Sequence, residues 1–171
     1  FRSMFLMVHL KTFLMKKITV VRHAEAGQGS SDFERRLTDY GLLQAKSTAS
    51  QLSSLISPQL LIVSPANRTR ETAGFLIDEF QIDTESGKYD ERVYEASTED
   101  LRSIIGALPE IFSDVVLIGH NPSVSLLVSG WADSYAGFST ACATVLEIEA
   151  GSWAECVYKP AKIVSKVLPR M

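Results

Sequence analysis

Two histidines each stand directly behind a short strand-like run. Ile18-Thr19-Val20-Val21-Arg22 leads into His23, and Val115-Val116-Leu117-Ile118-Gly119 leads into His120. A third run, Leu60-Leu61-Ile62-Val63, ends in Ser64-Pro65 and reaches Arg68 a turn later. Strands covered on both faces read as continuous apolar runs, whereas half-exposed strands alternate. Open α/β sheets gather their ligands outside the carboxyl ends of the strands. Such a sheet would therefore bring Arg22, His23, Arg68 and His120 to one crevice. That cluster is cationic with neutral imidazole available, a combination suited to phosphate.

Between these runs the periodicity switches to helical. Thr38 is a natural N-cap for a helix whose Leu42, Ala45, Ala49, Leu52 and Ile56 recur at three- and four-residue spacing, with Pro58 at its end. A second helix is expected over Asn67 to Phe80, with Ala73, Leu76, Ile77 and Phe80 inward. After a polar stretch from Asp83 to Lys88, Ser97 and Asp100 form a capping box for a helix striped by Leu101, Ile104, Ile105 and Leu108 and closed by Pro109. Asn121-Pro122 marks another helix start, with Pro122 at the first position. Ala143 to Glu149 and Trp153 to Tyr158 read as β segments around Ala150-Gly151-Ser152, adding an edge hairpin. Strands alternating with helices imply a largely parallel sheet covered on both sides.

The chain has 171 residues, the size of one domain, and no repeat or long linker divides it. A domain of this length buries roughly 70% of its unfolded surface and needs no metal or disulfide to hold a core. A net charge of −3 gives no basic face for nucleic acid, so any attraction for phosphate is local. Cys142 and Cys156 leave two readings open, a disulfide or two small half-buried thiols in a reducing cytosol; the second is the ordinary one, and CxxC spacing is absent. Residues 1–14 are apolar but interrupted by Lys11 and followed by Lys16-Lys17. They lack the basic-then-apolar order and small-residue cleavage site of a secretory signal, and are too short for a membrane-spanning helix. The expectation is an extension over 1–14, with no role for His9, and a single cytoplasmic domain over 15–171 that contacts no membrane.

An imidazole that accepts a phosphoryl group must be unprotonated. Free histidine titrates near pH ~6.5, and neighbouring cations lower that value. Arg22 and Arg68 would exert this effect while gripping phosphate oxygens with their planar forks. His120 would donate to an oxygen as charge redistributes in the transition state. One histidine behind a strand is ordinarily a satisfied polar residue; the set together carries the reading. Asn121 is read as a helix cap rather than a ligand contact, and Trp131, Phe138 and Trp153 as packing residues. No Gly-x-x-x-x-Gly-Lys loop and no Cys/His cluster with metal-ligand spacing is present.

Val21-Arg22-His23-Ala24-Glu25 resembles the Arg-His-Gly signature of the histidine phosphatase (phosphoglycerate mutase-like) superfamily. Ser64-Pro65-Ala66-Asn67-Arg68-Thr69-Arg70-Glu71-Thr72-Ala73 resembles its Ser-Pro-x-x-Arg-Ala-x-Gln-Thr-Ala element, and Ile118-Gly119-His120-Asn121 its second-histidine element. The matches run in family order across residues 18 to 149. Ala24 in place of the usual glycine, the segment Asp32-Phe33-Glu34-Arg35-Arg36-Leu37-Thr38-Asp39-Tyr40-Gly41 and the short length are similar to the phosphohistidine phosphatase (SixA-type) branch.

The resemblance implies a three-layer α/β/α sandwich with a mostly parallel central sheet. It makes His23 the nucleophile that becomes transiently phosphorylated, and Arg22, Arg68 and His120 the phosphate pocket. Arg35, rather than its neighbour Arg36, would help hold the phosphate; Arg70, two residues from Arg68, is left on the surface. Asp90-Glu91-Arg92-Val93-Tyr94 resembles the segment bearing a catalytic glutamate, here Glu91, with Asp90 and Glu95 as lesser candidates; short members often lack that acid. The implied activity is removal of phosphate from phosphohistidine in proteins, with no metal and no cofactor. The alternatives are a phosphatase for small phosphorylated substrates and a phosphate-binding scaffold without turnover. A mutase is disfavoured for want of a substrate-binding insertion.

Overall fold

The computed structural model describes residues 15–83, 87–134 and 137–171. The expected extension over 1–14, His9 included, lies outside them. The elements run β1 (Met15–Arg22), α1 (Asp39–Leu52), β2 (Leu60–Val63), α2 (Asn67–Phe80), β3 (Gly87–Tyr89), a 3-10 turn (Glu91–Val93), α3 (Thr98–Gly106), β4 (Asp114–Gly119), α4 (Ser123–Ala132), β5 (Ala143–Glu149), α5 (Trp153–Cys156) and β6 (Lys162–Val167). The sheet order is β3-β2-β4-β1-β5-β6. β3, β2, β4 and β1 pair in parallel, while β5 and β6 add antiparallel ladders. This is the mostly parallel α/β sheet that the sequence predicts.

Each apolar run divides its side chains between two layers, because successive residues of a strand face opposite ways. Ile18, Val20, Leu60, Ile62, Val115 and Leu117 pack with Leu101, Ile105, Leu127, Trp131 and Trp153 from α3, α4 and α5. Val21, Leu61, Val63, Val116 and Ile118 pack with Ala49, Leu52, Ala73 and Leu76 from α1 and α2. The helices thus fall on both faces, and the three-layer arrangement follows.

The first helix buries Ala45, Ala49 and Leu52 as its spacing predicts, but is rotated so that Leu42 faces out. Leu42 and Leu43 are 39% and 57% exposed. Gly41, Gln44 and Thr48 join those three on the inward face. Backbone groups decide this rotation. Gln44 Oε1 accepts from Glu25 N at 2.9 Å, and Thr48 donates to Ala141 O at 2.7 Å. Thr38 caps the helix through Gly41 N at 3.0 Å and donates to Glu25 Oε1 at 2.8 Å. Gly41 is required here, since a Cβ would collide with the Glu25 carbonyl. Ile56 is buried as expected, but beyond the helix end.

Two further boundaries differ. Trp153 to Tyr158 opens with a helical turn, because Ser152 accepts from Glu155 N at 3.1 Å and Trp153 sinks into the core. The edge hairpin therefore joins β5 to β6, whose Lys162, Val164 and Lys166 face solvent. Helix α4 begins at Ser123, so Pro122 occupies the cap rather than the first helical position, behind a cis Asn121–Pro122 bond. The Ser97/Asp100 capping box of α3 is formed in full. Cys142 and Cys156 are buried free thiols. No helix among the described residues is long and apolar enough to cross a membrane.

Candidate active site

The strand register assembles the site. β1 and β4 run parallel with Arg22 opposite Gly119, so the next residue of each strand, His23 and His120, comes abreast. His23 N donates to Gly119 O at 3.1 Å, and the two ring centroids lie 5.2 Å apart. On the other side of β4, Val63 pairs with Ile118, which brings Ser64 to the same level. Ser64 Oγ lies 2.7 Å from His120 Nε2. The following helix, α2, presents buried Arg68 from its first turn.

The His23 ring has a determined tautomer. Its Nδ1 lies 2.7 Å from Ala24 O, and a carbonyl can only accept, so Nδ1 carries the proton and Nε2 keeps its lone pair. Burial, reinforced by the charges of Arg68, Arg22 and Arg35, lowers the His23 pKa to about 4. Burial and the neighbouring His23, Arg68 and Arg22 lower that of His120 to about 3. Both rings are therefore neutral at pH 7, and a neutral imidazole with a free nitrogen can attack phosphorus.

Three guanidinium groups surround the rings, each held by the backbone. Arg22 Nη1 donates to Phe138 O at 2.8 Å. Arg35 Nε donates to Gly27 O at 2.8 Å, and its Nη1 to Asp32 Oδ1 at 3.1 Å. Arg68 donates to the carbonyl of Asp32 and, at 2.9 Å, to Asp32 Oδ2. Tyr94 completes this corner, donating to Asp32 Oδ2 at 3.0 Å with its ring edge-on to His120. The guanidinium groups and the Tyr94 hydroxyl hold the Asp32 carboxyl down at about 2. All these side chains line one hollow of about 480 Å³.

Several polar atoms around the hollow are unspent. Arg22 Nε, Arg68 Nε and His120 Nδ1 are buried without a partner among the described residues. Thr19, Arg102, Asp114 and Trp131, away from the hollow, also carry such an atom, so it is the three guanidinium groups lining the hollow that fit it to an oxyanion. No three His, Cys, Asp or Glu side chains among the described residues are gathered as a metal site would require.

Residues 18–104, slightly more than half of the chain, match the model of the histidine phosphatase superfamily (branch 1). The chain belongs to that superfamily. Its fold is also that of solved SixA-type structures. The provisionally assigned phosphohistidine phosphatase SixA of Nakamurella multipartitia aligns with a TM-score of 0.80 at 23% identity, covering 92% of this chain and 98% of that one. Its counterpart from Agrobacterium tumefaciens, also provisionally assigned, gives 0.77 at 25% identity, covering 90% and 98%. The protein histidine phosphatase SixA complexed with tungstate gives 0.78 at 19% identity, covering 90% and 97%. No curated protein matches the sequence.

The geometry brings most of the expected residues together. Arg22, His23, Arg35, Arg68 and His120 all line the hollow. Arg36 does not; it is exposed and bonds Glu71 at 2.6 Å. Arg70 donates to Pro65 O at 2.8 Å and lies over the Tyr89 ring at 4.2 Å, away from the histidines.

Glu91 needs correcting as a site residue. It is exposed on the 3-10 turn and does not line the hollow, because that turn directs Tyr94 and Glu95 there instead. Asp90 caps the turn and is gripped by Arg92 at 2.6 and 2.9 Å, which lowers its pKa and keeps it a carboxylate.

Asn121 is not a cap. It lines the hollow and donates to Phe138 O at 2.9 Å, the carbonyl that also holds Arg22. Trp131, Phe138 and Trp153 pack in the core, and Phe138 serves the site through its backbone. Sequence reasoning missed Asp32, Ser64, Tyr94 and Thr140. The first three stood inside quoted motifs, but nothing in their spacing marked them.

Proposed function

We propose that this chain is a phosphatase acting through a phosphohistidine intermediate on His23, with phosphohistidine in proteins as its substrate. Residues 15–171 are the catalytic domain of this reading. The observation that supports it most is the buried, neutral His23 ring, whose Nδ1–H is committed to Ala24 O beside three guanidinium groups.

Nε2 of His23 attacks phosphorus in line. A P–N bond forms there as the bond to the substrate nitrogen breaks, and the departing imidazole takes a proton from solvent. Because Nδ1–H stays in place, phosphorylated His23 is a cationic imidazolium. Water then attacks phosphorus, the P–Nε2 bond breaks, and His23 leaves as neutral imidazole without needing an acid. The water proton passes to the released phosphate or to solvent. Arg22, Arg35 and Arg68 neutralise the phosphoryl oxygens in both steps, and neutral His120 donates a hydrogen bond to one of them. A leaving imidazole needs less protonation than an alcohol, so the reading assigns no role to Glu91. Where an acid assists an ester substrate, Glu95 is the candidate among the three carboxyls lining the hollow, because Asp32 is held by Arg35, Arg68 and Tyr94 and Glu25 accepts from Thr38.

A cytoplasmic setting belongs to the same reading. The cysteines are free, and burial pushes the Cys156 thiol up to about 12, which keeps it unreactive.

The test is turnover of a phosphohistidine-bearing protein and a panel of small phosphate esters, with and without a chelator. We expect the protein substrate to give the highest kcat/KM, no chelator effect, an acid-labile label on the enzyme, and no turnover or label with His23→Ala. An active His23→Ala variant removes the nucleophile assignment. Ester preference moves the substrate to small molecules, and phosphate binding without turnover leaves a scaffold.

A further inference from the structure

The Ser64 hydroxyl is fully buried at the end of β2. Its hydrogen-bond partner among the described residues is His120 Nε2 at 2.7 Å. A hydroxyl is one donor and two acceptors, and a buried O–H left without an acceptor is costly. If Nε2 carried the proton, the Ser64 hydrogen would have no acceptor among the described residues. The pair is satisfied only when Ser64 donates and Nε2 accepts. The ring proton then belongs on Nδ1, the atom that is buried and unpartnered beside the guanidinium groups.

We propose that Ser64 is a positioning residue that fixes His120 as its Nδ1–H tautomer, so that Nδ1 donates to a phosphoryl oxygen. The proposal rests on the phosphatase reading for its kinetic consequence, though the tautomer stands without it. The site then holds two imidazoles in the same tautomer for opposite purposes. Ala24 O draws the proton of His23 to Nδ1 and frees Nε2 as a lone pair. Ser64 Oγ occupies Nε2 of His120 and leaves Nδ1–H as the donor the ring can offer a phosphoryl oxygen. With the other tautomer, His120 would present a lone pair to the anion and repel it.

The test is long-range 1H–15N correlation of the imidazole rings in the 15N-labelled protein at neutral pH, with His120→Gln to assign the signals. We expect His120 to show a protonated Nδ1 and an unprotonated Nε2. In Ser64→Ala the ring should shift towards protonated Nε2, and kcat should fall about tenfold, the worth of one hydrogen bond. Ser64→Thr, which keeps the hydroxyl, should restore both. A protonated Nε2 in the wild-type ring overturns the proposal, as does an unchanged ring and rate in Ser64→Ala. The wild-type spectrum decides even where Ser64→Ala does not fold. Absence of turnover in the wild-type protein counts against the phosphatase reading alone, because the tautomer is read without substrate.

Discussion

The two ends of β1 bury cations in opposite ways. At its start, Lys16 has a side chain only 5% exposed, yet its ammonium lies 2.9 Å from Glu110, donates to Phe112 O at 3.2 Å and sits 5.1 Å over the Trp153 ring. Its bonding is closed by neighbours. At the other end, Arg22 and Arg68 are also held, but each keeps a buried Nε, and His120 a buried Nδ1, that has no partner among the described residues. A buried charge whose bonds are all used stabilises a fold; a cluster with bonds to spare marks a place for something else. The same strand carries a strut at one end and a socket at the other.

Removing one cation from each end should split activity from stability. Arg68→Met is expected to lower kcat/KM by about 10²–10³, the scale of losing a charge-stabilising donor in a transition state. It should leave the melting temperature unchanged or raised, because the cationic cluster is relieved. Lys16→Met keeps the packed stem and should cost about 1–2 kcal/mol of stability with kcat/KM within twofold, since Glu110 is half-exposed and can rehydrate. Steady-state kinetics and chemical denaturation of both variants check this. Equal losses of activity and stability in Arg68→Met would break the distinction between the ends.

Acid should act on the socket before the strut. His23 and His120 titrate near 4 and 3 in the folded chain, below the 6.5 of a free ring. The unfolded chain therefore binds protons that the folded chain refuses. Stability from these rings is full above pH ~6.5 and is lost as pH falls towards 4 and then 3, by up to about 1.4 kcal/mol per pH unit for each ring. Asp32, lowered to about 2, adds a loss that begins only below its ordinary 3.8. Denaturant midpoints at pH 7.5, 5.5 and 4.5 measure the slope. The acid limb of kcat/KM, corrected for the second ionisation of phosphate near ~6, should lie below pH 5. A limb near 6.5 would mean that the His23 ring is far wetter than its burial indicates.

What the sequence made legible follows the same division. β1, β2, β4, β5, α2 and the capping box of α3 are written in local patterns, whereas β3 and β6 are not, and the residues at the strand ends inherit their place from that topology. Arg22, His23, Arg68 and His120 could be placed because a parallel sheet aligns carboxyl ends whatever lies between. The partners could not. Asp32 meets Arg68 and Tyr94, and Ser64 meets His120, across separations of 36, 62 and 56 residues with no spacing rule to announce them. The outward turn of Leu42 in α1 was hidden for a related reason: Gln44 and Thr48 turn inward because distant backbone groups need them. Glu91 was misplaced because a 3-10 turn shifts the facing residue to Tyr94 and Glu95, which a linear motif does not reveal.

Asp32 gives the smallest and most discriminating test of the socket. Its carboxylate joins Arg35, Arg68 and Tyr94, but its side chain is 54% exposed, so the net worth of these pairs is modest. Asp32→Asn preserves the shape, and Arg68 keeps its bond to the Asp32 carbonyl. The change subtracts one negative charge from the rim of a cationic hollow, so anions should bind better. We expect inhibition by inorganic phosphate to strengthen about threefold, within the ordinary range for a solvent-exposed pair. The His120 ring should become still harder to protonate, because the Asp32 charge is what raises its pKa. Weaker phosphate inhibition would assign Asp32 the other task, holding the guanidinium groups in position, and its charge would then matter less than its bonds.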